Sequence, residues 1–337
     1  MIDLKTTKAG RMFCMKIKIG IAGYGNIGKG VEKAISASPD MELAAVFTRR
    51  DPGKLQIETP GIPVCALEEA ESEKNNIDVM VLCGGSAKDL PEQGPKFAGM
   101  FNIVDSFDTH AKIPGYFLEV DKAAICKTAI ISAGWDPGLF SMIRMMSQAI
   151  LPDGKSYTFW GRGVSQGHSY AIRKIEGVKN AVQYTVPIED AVNAAKSGAN
   201  PELSARQKMK RECYVVADDG ADTKKIEEEI KTMPDYFADY DTSVNFITEQ
   251  ELENNHSKMP HGGFALHSGS TGENKHFIEF SLKLDSNPEF TGSVLAAYAR
   301  AAARMAKEGN FGAKTVFDVP LSYLSPKENS ALIAELL

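Results

Sequence analysis

A glycine motif set between a strand pattern and a helix pattern constrains this chain more than any other feature. The sequence Gly-Tyr-Gly-Asn-Ile-Gly occupies positions 23–28, after alternating apolar residues and before apolar residues at helical spacing. In this context the first glycine permits a tight turn, the second lets the backbone approach a pyrophosphate and the third allows helix to pack closely on strand. The motif predicts a dinucleotide-binding unit, and a glycine-rich turn without a ligand is the alternative.

The apolar segments up to residue 133 alternate with helix-like segments. Strand patterns at 43–47, 79–83, 101–104 and 128–133 predict an α/β fold with a Rossmann-type, doubly wound parallel sheet. After Gly134 the strand patterns at 182–186, 213–217, 244–247 and 277–284 have few long helices between them. This change predicts a second, α+β domain with a mixed sheet.

Composition excludes several classes of protein. The 337 residues suffice for two domains, the net charge is −6, and no apolar run reaches the roughly 18 residues of a membrane span. We therefore expect a soluble protein that binds neither nucleic acid nor membrane. Five scattered cysteines and no histidine pair at metal spacing favour a reduced, cytoplasmic setting without a metal site. Residues 1–14 are expected to form a disordered extension or to precede an alternative start at Met15.

The end of the second strand pattern bears on the choice of cofactor. An NAD-binding unit usually carries an acidic residue there, which accepts a hydrogen bond from the ribose 2′-hydroxyl. This chain has Thr48, Arg49 and Arg50 instead, and guanidinium groups suit a 2′-phosphate. The pattern favours NADP over NAD, unless the two arginines only form a solvated strand end.

The strand pattern at 79–83 ends in Cys83, Gly84, Gly85 and Ser86. The carboxyl edge of a parallel sheet is where ligands bind, and small residues leave room for a cofactor there. Cys83 can be interpreted as an acyl-forming nucleophile, but no basic partner adjoins it in sequence. We interpret it as a buried thiol at the strand end.

Two aspartates follow predicted parallel strands and should open onto the same crevice. Asp108 lies after the strand at 101–104, and Asp136 lies in Gly-Trp-Asp-Pro-Gly at 134–138. Oxidation of an amine requires a free nitrogen lone pair, and a carboxylate can hold the ammonium and take its proton. A turn cap at Asp108 and a turn residue before proline at Asp136 are the alternatives.

The second domain contains polar, glycine-rich stretches at 160–169 and 259–263, which by themselves can be binding loops or turns. Arg211 precedes an apolar run and is suited to a substrate carboxylate, although a surface salt bridge is equally compatible. Four histidines are expected at the surface or in loops, namely His168, His256, His267 and His276.

Several of these stretches together make the chain resemble the meso-diaminopimelate D-dehydrogenase family. They are Gly-Tyr-Gly-Asn-Ile-Gly, Thr-Arg-Arg, Gly-Trp-Asp-Pro-Gly, Phe-Trp-Gly, Ser-Gln-Gly-His-Ser, Thr-Met-Pro-Asp-Tyr-Phe and Met-Pro-His-Gly-Gly. The resemblance extends from about residue 17 to residue 326, in the same order and at similar separations.

The resemblance implies a reaction and a set of site residues. The family uses NADP to deaminate the D-centre of meso-2,6-diaminopimelate, reversibly, to L-2-amino-6-oxopimelate and ammonia, in lysine and diaminopimelate biosynthesis. It implies that Asp108 and Asp136 are catalytic. The implied substrate-binding residues are Trp135, Trp160, Gln166, Gly167, Thr185, Arg211, His261 and Asn287. The expected cofactor-binding residues are Gly23, Tyr24, Gly25, Asn26, Ile27, Gly28, Thr48, Arg49, Arg50, Cys83, Gly84 and Ser86.

The resemblance also implies a homodimer and a division of the chain. Residues 15–133 and 285–337 are expected to form the dinucleotide-binding domain, and residues 134–284 the domain for substrate binding and dimerisation. Tyr170 departs from relatives that have an acidic residue there, which leaves substrate breadth open.

Two other functions compete with this interpretation. One is an NADP-dependent sugar or cyclic-imine reductase of the same build, although the Lys-Pro pair usual in the sugar oxidoreductases is absent at 134–137. The other is an NADP-binding sensor without catalysis.

Overall fold

This computed structural model describes residues 16–337. The strands are β1 (Ile17–Ala22), β2 (Met41–Thr48), β3 (Val64–Ala66), β4 (Val79–Leu82), β5 (Asn102–Asp105), β6 (Thr128–Ile130), β7 (Lys155–Trp160), β8 (Gly163–Val164), β9 (Val178–Pro187), β10 (Met209–Ala217), β11 (Asp241–Phe246), β12 (His261–Thr271), β13 (Asn274–Leu284) and β14 (Gly312–Lys314). The helices are α1 (Asn26–Ser36), α2 (Leu90–Ala98), α3 (Ile113–Ala123), α4 (Leu139–Ile150), α5 (Gln166–Ile172), α6 (Glu189–Lys196), α7 (Ala205–Lys208), α8 (Thr223–Thr232), α9 (Glu249–His256), α10 (Asn287–Lys307) and α11 (Asn329–Leu336). Short 3₁₀ segments lie at Pro52–Lys54, Leu67–Glu73, His110–Lys112, Val316–Asp318 and Leu321–Leu324.

The described chain divides into two compact units by packing. One comprises the chain up to Gly134 together with Gly292–Leu337, and the other is Trp135–Thr291. Residues 285–291, which the resemblance placed with the dinucleotide domain, pack in the second unit, where the Asn287 amide donates to Met259 O at 3.0 Å. The extension expected at 1–14 lies outside the described residues.

The first unit contains a seven-stranded parallel sheet in the order β14-β6-β5-β4-β1-β2-β3. The predicted doubly wound sheet is thereby confirmed. The six strands β1–β6 have the Rossmann order 3-2-1-4-5-6, and β14 is added next to β6. Ile19, Ile21, Val79 and Val81 are fully buried, because helices cover both faces of a parallel sheet. The strand order reverses between β1 and β4, which is where ligands bind in such sheets.

The C-terminal segment completes the first unit. A Cβ placed on Gly292 would lie 2.3 Å from the carbonyl carbon of Gly30, so α10 and α1 touch backbone to backbone. Arg300 on α10 is 4% exposed and donates to both Asp40 carboxylate oxygens, at 2.6 and 2.9 Å. This bidentate pair ties α10 to the turn before β2.

The second unit contains a four-stranded sheet, β11-β10-β9-β8, and a three-stranded sheet, β13-β12-β7. β10 pairs antiparallel with β9 and parallel with β11, which confirms the predicted mixed sheet. Sequence analysis missed β12 because its first residues are polar and glycine-rich. A Cβ on Gly262 would lie 2.1 Å from Leu282 O, so glycine lets β12 pass next to β13.

No helix within residues 16–337 is long and apolar enough to cross a lipid bilayer.

Candidate active site

The glycine turn after β1 has the backbone shape that the motif requires. Gly23 has a φ of +95°, which an L side chain rarely adopts. A Cβ on Gly28 would lie 2.4 Å from Gly23 O, whereas a Cβ on Gly25 would have no atom of the described residues within 4 Å apart from its own chain neighbours. The turn is therefore closed on the side of the helix and open at Gly25, where a pyrophosphate would approach.

The N-terminus of α1 suits an anion. Gly25 is its N-cap and supplies no side-chain cap, and no acidic residue lies in the first turn. The positive end of the helix dipole and the backbone amides therefore face the open side of the turn without a competing carboxylate.

Tyr24 of the glycine turn is buried and held at both ends. Its hydroxyl donates to Glu32 on α1, and its carbonyl oxygen accepts from the Arg50 guanidinium. The second Glu32 oxygen accepts from Thr59 N at 2.6 Å. Burial and the Glu32 carboxylate raise the pKa of Tyr24. Burial opposes ionisation of Glu32, but hydrogen bonds from Thr59 and Tyr24 leave its pKa below the usual value. Sequence analysis missed this buried carboxylate.

The end of β2 brings Thr48, Arg49 and Arg50 next to the glycine turn. Thr48 is 3% exposed, and its Oγ1 accepts from Arg50 N at 3.0 Å. Arg49 forms a 2.8 Å ion pair with Asp89 and is 63% exposed at its side chain. Two guanidinium groups therefore lie where a ribose 2′-substituent is expected.

The loops after β4 and β5 meet within the first unit. Ser86 Oγ accepts from Asp108 N at 2.9 Å and lies 3.4 Å from Thr109 Oγ1. Gly84 adjoins Gln93, whose Oε1 would lie 2.7 Å from a Cβ on that glycine. Burial raises the pKa of the Cys83 thiol, so the thiol stays protonated and is poorly suited to nucleophilic attack.

Asp105 and Asp108 differ in burial. Asp105 is fully buried, and its carboxylate accepts from Tyr116 Oη at 2.6 Å and from the amides of Phe107 and Ser132 at 2.9 Å. Asp108 is exposed. The carboxylate of Asp108 is therefore the accessible one after β5, and Asp105 organises the loop.

In the second unit, Asp136 is held by two donors. Its side chain is 1% exposed, and Oδ1 pairs with Arg144 at 2.7 Å. Oδ2 accepts from Trp160 Nε1 at 2.6 Å. Sequence analysis missed Arg144, although a single charged residue in the apolar helix α4 was an available signal. These two contacts fix the Asp136 carboxylate in place.

Trp135 links further predicted residues. Its Nε1 donates to Asn287 Oδ1 at 2.8 Å, and its ring centroid lies 5.0 Å from that of His261. Together with the neighbouring Asp136–Trp160 contact, these interactions gather predicted substrate residues from separate elements into one region of the second unit.

Arg211 on β10 is a buried cation. The side chain is 6% exposed, a guanidinium nitrogen donates to Thr185 Oγ1 on β9, and Nε has no hydrogen-bond partner among the described residues. No carboxylate of residues 16–337 pairs with it. The alternative of a surface salt bridge is therefore wrong, because the strand pairing of β9 and β10 carries Arg211 inward.

Two histidines face this cation in their neutral form. Burial, with the positive charge of Arg211, lowers the pKa of His168 to about 3 and lowers the pKa of His261. The His261 Nδ1 lies 2.8 Å from Gly262 N and 3.2 Å from Gly262 O, so the backbone of Gly262 holds the ring. Arg211 is thus the fixed positive charge of this group.

The stretch at 165–169 starts helix α5. Ser165 is its N-cap, and Ser165 Oγ lies 2.6 Å from His168 Nδ1. Gln166 and Gly167 are exposed in the first turn. Tyr170 is 47% exposed. The tyrosine that stands where some relatives have an acidic residue therefore lies at the surface of the unit.

The expectation that His168, His256, His267 and His276 lie at the surface or in loops was wrong for His267, and His168 is half-buried on helix α5. His267 lies on β12, is 2% exposed, and contacts Ser156 Oγ at 2.7 Å and Leu151 O at 2.9 Å. It joins β7 and β12 to the end of α4.

Comparisons with known proteins find relatives over nearly the whole chain. Residues 134–286 match the diaminopimelic acid dehydrogenase C-terminal domain. The meso-diaminopimelate D-dehydrogenase of Ureibacillus thermosphaericus is 62% identical over 325 residues, 96% of this chain and 99% of that protein.

Two solved structures are also similar over 96% of this chain and 100% of theirs. The C. glutamicum DAP dehydrogenase in complex with DAP has a TM-score of 0.90 at 45% identity. An engineered D-amino acid dehydrogenase bound to NADP+ has a TM-score of 0.87 at 44% identity. The chain belongs to the meso-diaminopimelate D-dehydrogenase family.

Proposed function

We propose that this protein is an oxidoreductase that deaminates the D-amino centre of meso-2,6-diaminopimelate with NADP, reversibly, in lysine and diaminopimelate biosynthesis. The observation that carries the proposal is the buried Arg211 guanidinium, which lacks a carboxylate partner among the described residues. A buried charge without an ion-pair partner is costly. A ligand carboxylate would offset that cost.

The substrate has an amino-carboxylate at each end, and the enzyme must oxidise one of them. Arg211 and Thr185 bind the distal carboxylate in this proposal, next to the neutral His261. Asn287, Trp135 and the α5 residues Gln166 and Gly167 shape the rest of the pocket. Holding the distal end orients the other Cα hydrogen for transfer, and oriented binding lowers the barrier by avoiding an entropic cost.

At the reacting end, Asp108 and Asp136 are the catalytic residues of the proposal. The Asp136 carboxylate, fixed by Arg144 and Trp160, holds the substrate ammonium. The nitrogen loses a proton to Asp108, Asp136 or water, and the Cα–H bond breaks with departure of hydride. Water then adds to the resulting imine, and the C–N bond breaks to give the oxo product and ammonia.

NADP fits the first unit on two observations. The glycine turn is open at Gly25, and the uncapped α1 N-terminus carries no acidic residue. Residues 23–28 would hold the pyrophosphate, Thr48, Arg49 and Arg50 the 2′-phosphate, and Cys83, Gly84 and Ser86 would line the site. When bound, NADP supplies the hydride acceptor.

Assembly and location complete the proposal. The unit formed by residues up to 134 and the C-terminal segment binds the dinucleotide, and the other unit binds substrate and forms a homodimer. Four free cysteines among the described residues suit a reducing, cytoplasmic setting.

The test is the initial rate of nicotinamide reduction with meso-, LL- and DD-diaminopimelate, each with NADP and with NAD. We expect rapid turnover only with the meso isomer and NADP. A preference for NAD would overturn the role of Arg49 and Arg50 alone. NADP binding without turnover of any isomer would favour the competing reductase or sensor.

A further inference from the structure

An aromatic ring lies directly on the buried guanidinium. The Arg211 Cζ is 3.8 Å from the centroid of the Tyr240 ring, within the range of a cation–π contact. Tyr240 immediately precedes β11, which pairs with β10 so that Arg211 stands opposite Thr242. We infer that Tyr240 is a positioning residue that sets the plane of the Arg211 guanidinium and thereby the selectivity for a distal carboxylate. This inference rests on the proposed function of the same site.

Hydrogen bonds anchor the turn that carries the Tyr240 ring. Tyr240 N donates to Phe237 O at 2.9 Å, and Phe237 is fully buried in the core of the second unit. On either side of Tyr240, Arg206 donates to Ala238 O at 3.0 Å and to Asp241 Oδ1 at 2.7 Å. The turn that carries Tyr240 is therefore anchored by the buried Phe237 and by the Arg206 guanidinium.

Two contacts then determine the orientation of Arg211. Thr185 Oγ1 accepts from one terminal nitrogen, and the Tyr240 ring covers one face. A guanidinium binds a carboxylate in its own plane through two parallel hydrogen bonds. Fixing that plane before the substrate arrives reduces the ordering cost of binding. Without the ring, Arg211 keeps its charge but gains rotational freedom.

The test compares Tyr240→Leu, Tyr240→Phe and the control Tyr236→Leu. Tyr236 lies in the same turn but contacts the rings of His168 and Phe237. The measured quantities are kcat, the KM for meso-diaminopimelate, the KM for NADP and the melting temperature. For Tyr240→Leu we expect the substrate KM to rise about tenfold to thirtyfold, the size of a desolvated cation–π contact. The values of kcat and of the NADP KM should stay within about twofold. Tyr240→Phe keeps the aromatic face, so its substrate KM should stay within about threefold of that of the unchanged protein. The substrate KM of Tyr236→Leu should equal that of the unchanged protein.

An unchanged substrate KM in Tyr240→Leu overturns the inference. So does a parallel loss in kcat, NADP binding and melting temperature, which indicates a structural role. A second test repeats Tyr240→Leu in an Arg211→Met background, where a residue that acts through Arg211 has no further effect. Additive losses there contradict the inference. If the unchanged protein does not oxidise meso-diaminopimelate, the proposed function fails and the inference with it.

Discussion

Replacement of Arg211 by Met separates substrate selectivity from stability. The side chain is buried, has no carboxylate partner among the described residues, and has an unpaired Nε. Met has a similar length and no charge to desolvate. The change removes the proposed partner of the distal carboxylate and leaves the proposed reacting-end residues in place.

Arg211→Met should have a large effect on substrate binding and a small effect on the free energy of unfolding. Removing one partner of a buried, hydrogen-bonded charge pair costs about 2–5 kcal/mol, which is a loss of about thirtyfold to several thousandfold in kcat/KM. The free energy of unfolding should stay within about 1 kcal/mol, because the lost contacts with Thr185 and Tyr240 are offset by the smaller desolvation cost of Met.

The assay is kcat/KM with NADP for meso-diaminopimelate and for D-norleucine, which has no distal polar groups, alongside urea unfolding. We expect the ratio of the two kcat/KM values to fall by at least about thirtyfold. Arg173→Met is the matched control, since Arg173 is exposed and donates to Ala181 O at 2.8 Å. An unchanged ratio, or an equal fall for both substrates, would refute the reasoning.

Three further predictions concern other groups. Asp136→Asn should lower kcat at least about a hundredfold without changing the NADP KM, and full turnover in initial-rate assays would remove Asp136 from catalysis. Arg50→Ala should raise the NADP KM at least about tenfold, since a hydrogen bond to a charged group contributes about 1.5–3 kcal/mol. The NAD KM should barely change. An equal rise in both KM values would contradict a contact between Arg50 and the 2′-phosphate. The pKa of His168 is lowered to about 3 in the folded protein against about 6.5 unfolded, so the unfolded chain takes up the proton first as pH falls. Stability is therefore lost below pH 6.5, and urea unfolding should show His168 accounting for about 2 kcal/mol between pH 7 and pH 5; the same pH dependence in His168→Asn would exclude this.

Local sequence predicted the first unit well because its pattern and its tertiary structure agree. Isoleucines at alternating positions before Gly23 predict a strand, and the spacing of the three glycines fits one turn geometry. Several strand boundaries differed by one to three residues. β6 ends at Ile130, where a longer strand was predicted, because the buried Asp105 carboxylate takes the Ser132 amide.

The candidate site in the second unit was less accessible to local patterns. From the sequence, Arg211 is equally compatible with a substrate carboxylate and with a surface salt bridge, and only the pairing of β9 with β10 places it inside. Arg144 lies eight residues after Asp136, and Tyr240 lies still farther along the chain from Arg211, so neither pair has the short spacing of neighbours on one helix face or one strand face. β12 was missed because a strand with glycines at Gly262 and Gly263 resembles a loop until its neighbours are known.

The most direct test of the proposed reaction uses meso-diaminopimelate that carries deuterium only at the Cα of its D-centre. After oxidation with NADP, mass spectrometry of the reduced cofactor and of the amino acid product locates the label. The proposal predicts deuterium in the reduced cofactor and none in L-2-amino-6-oxopimelate. Deuterium retained in the product would show that hydride leaves from another position and would contradict the assignment.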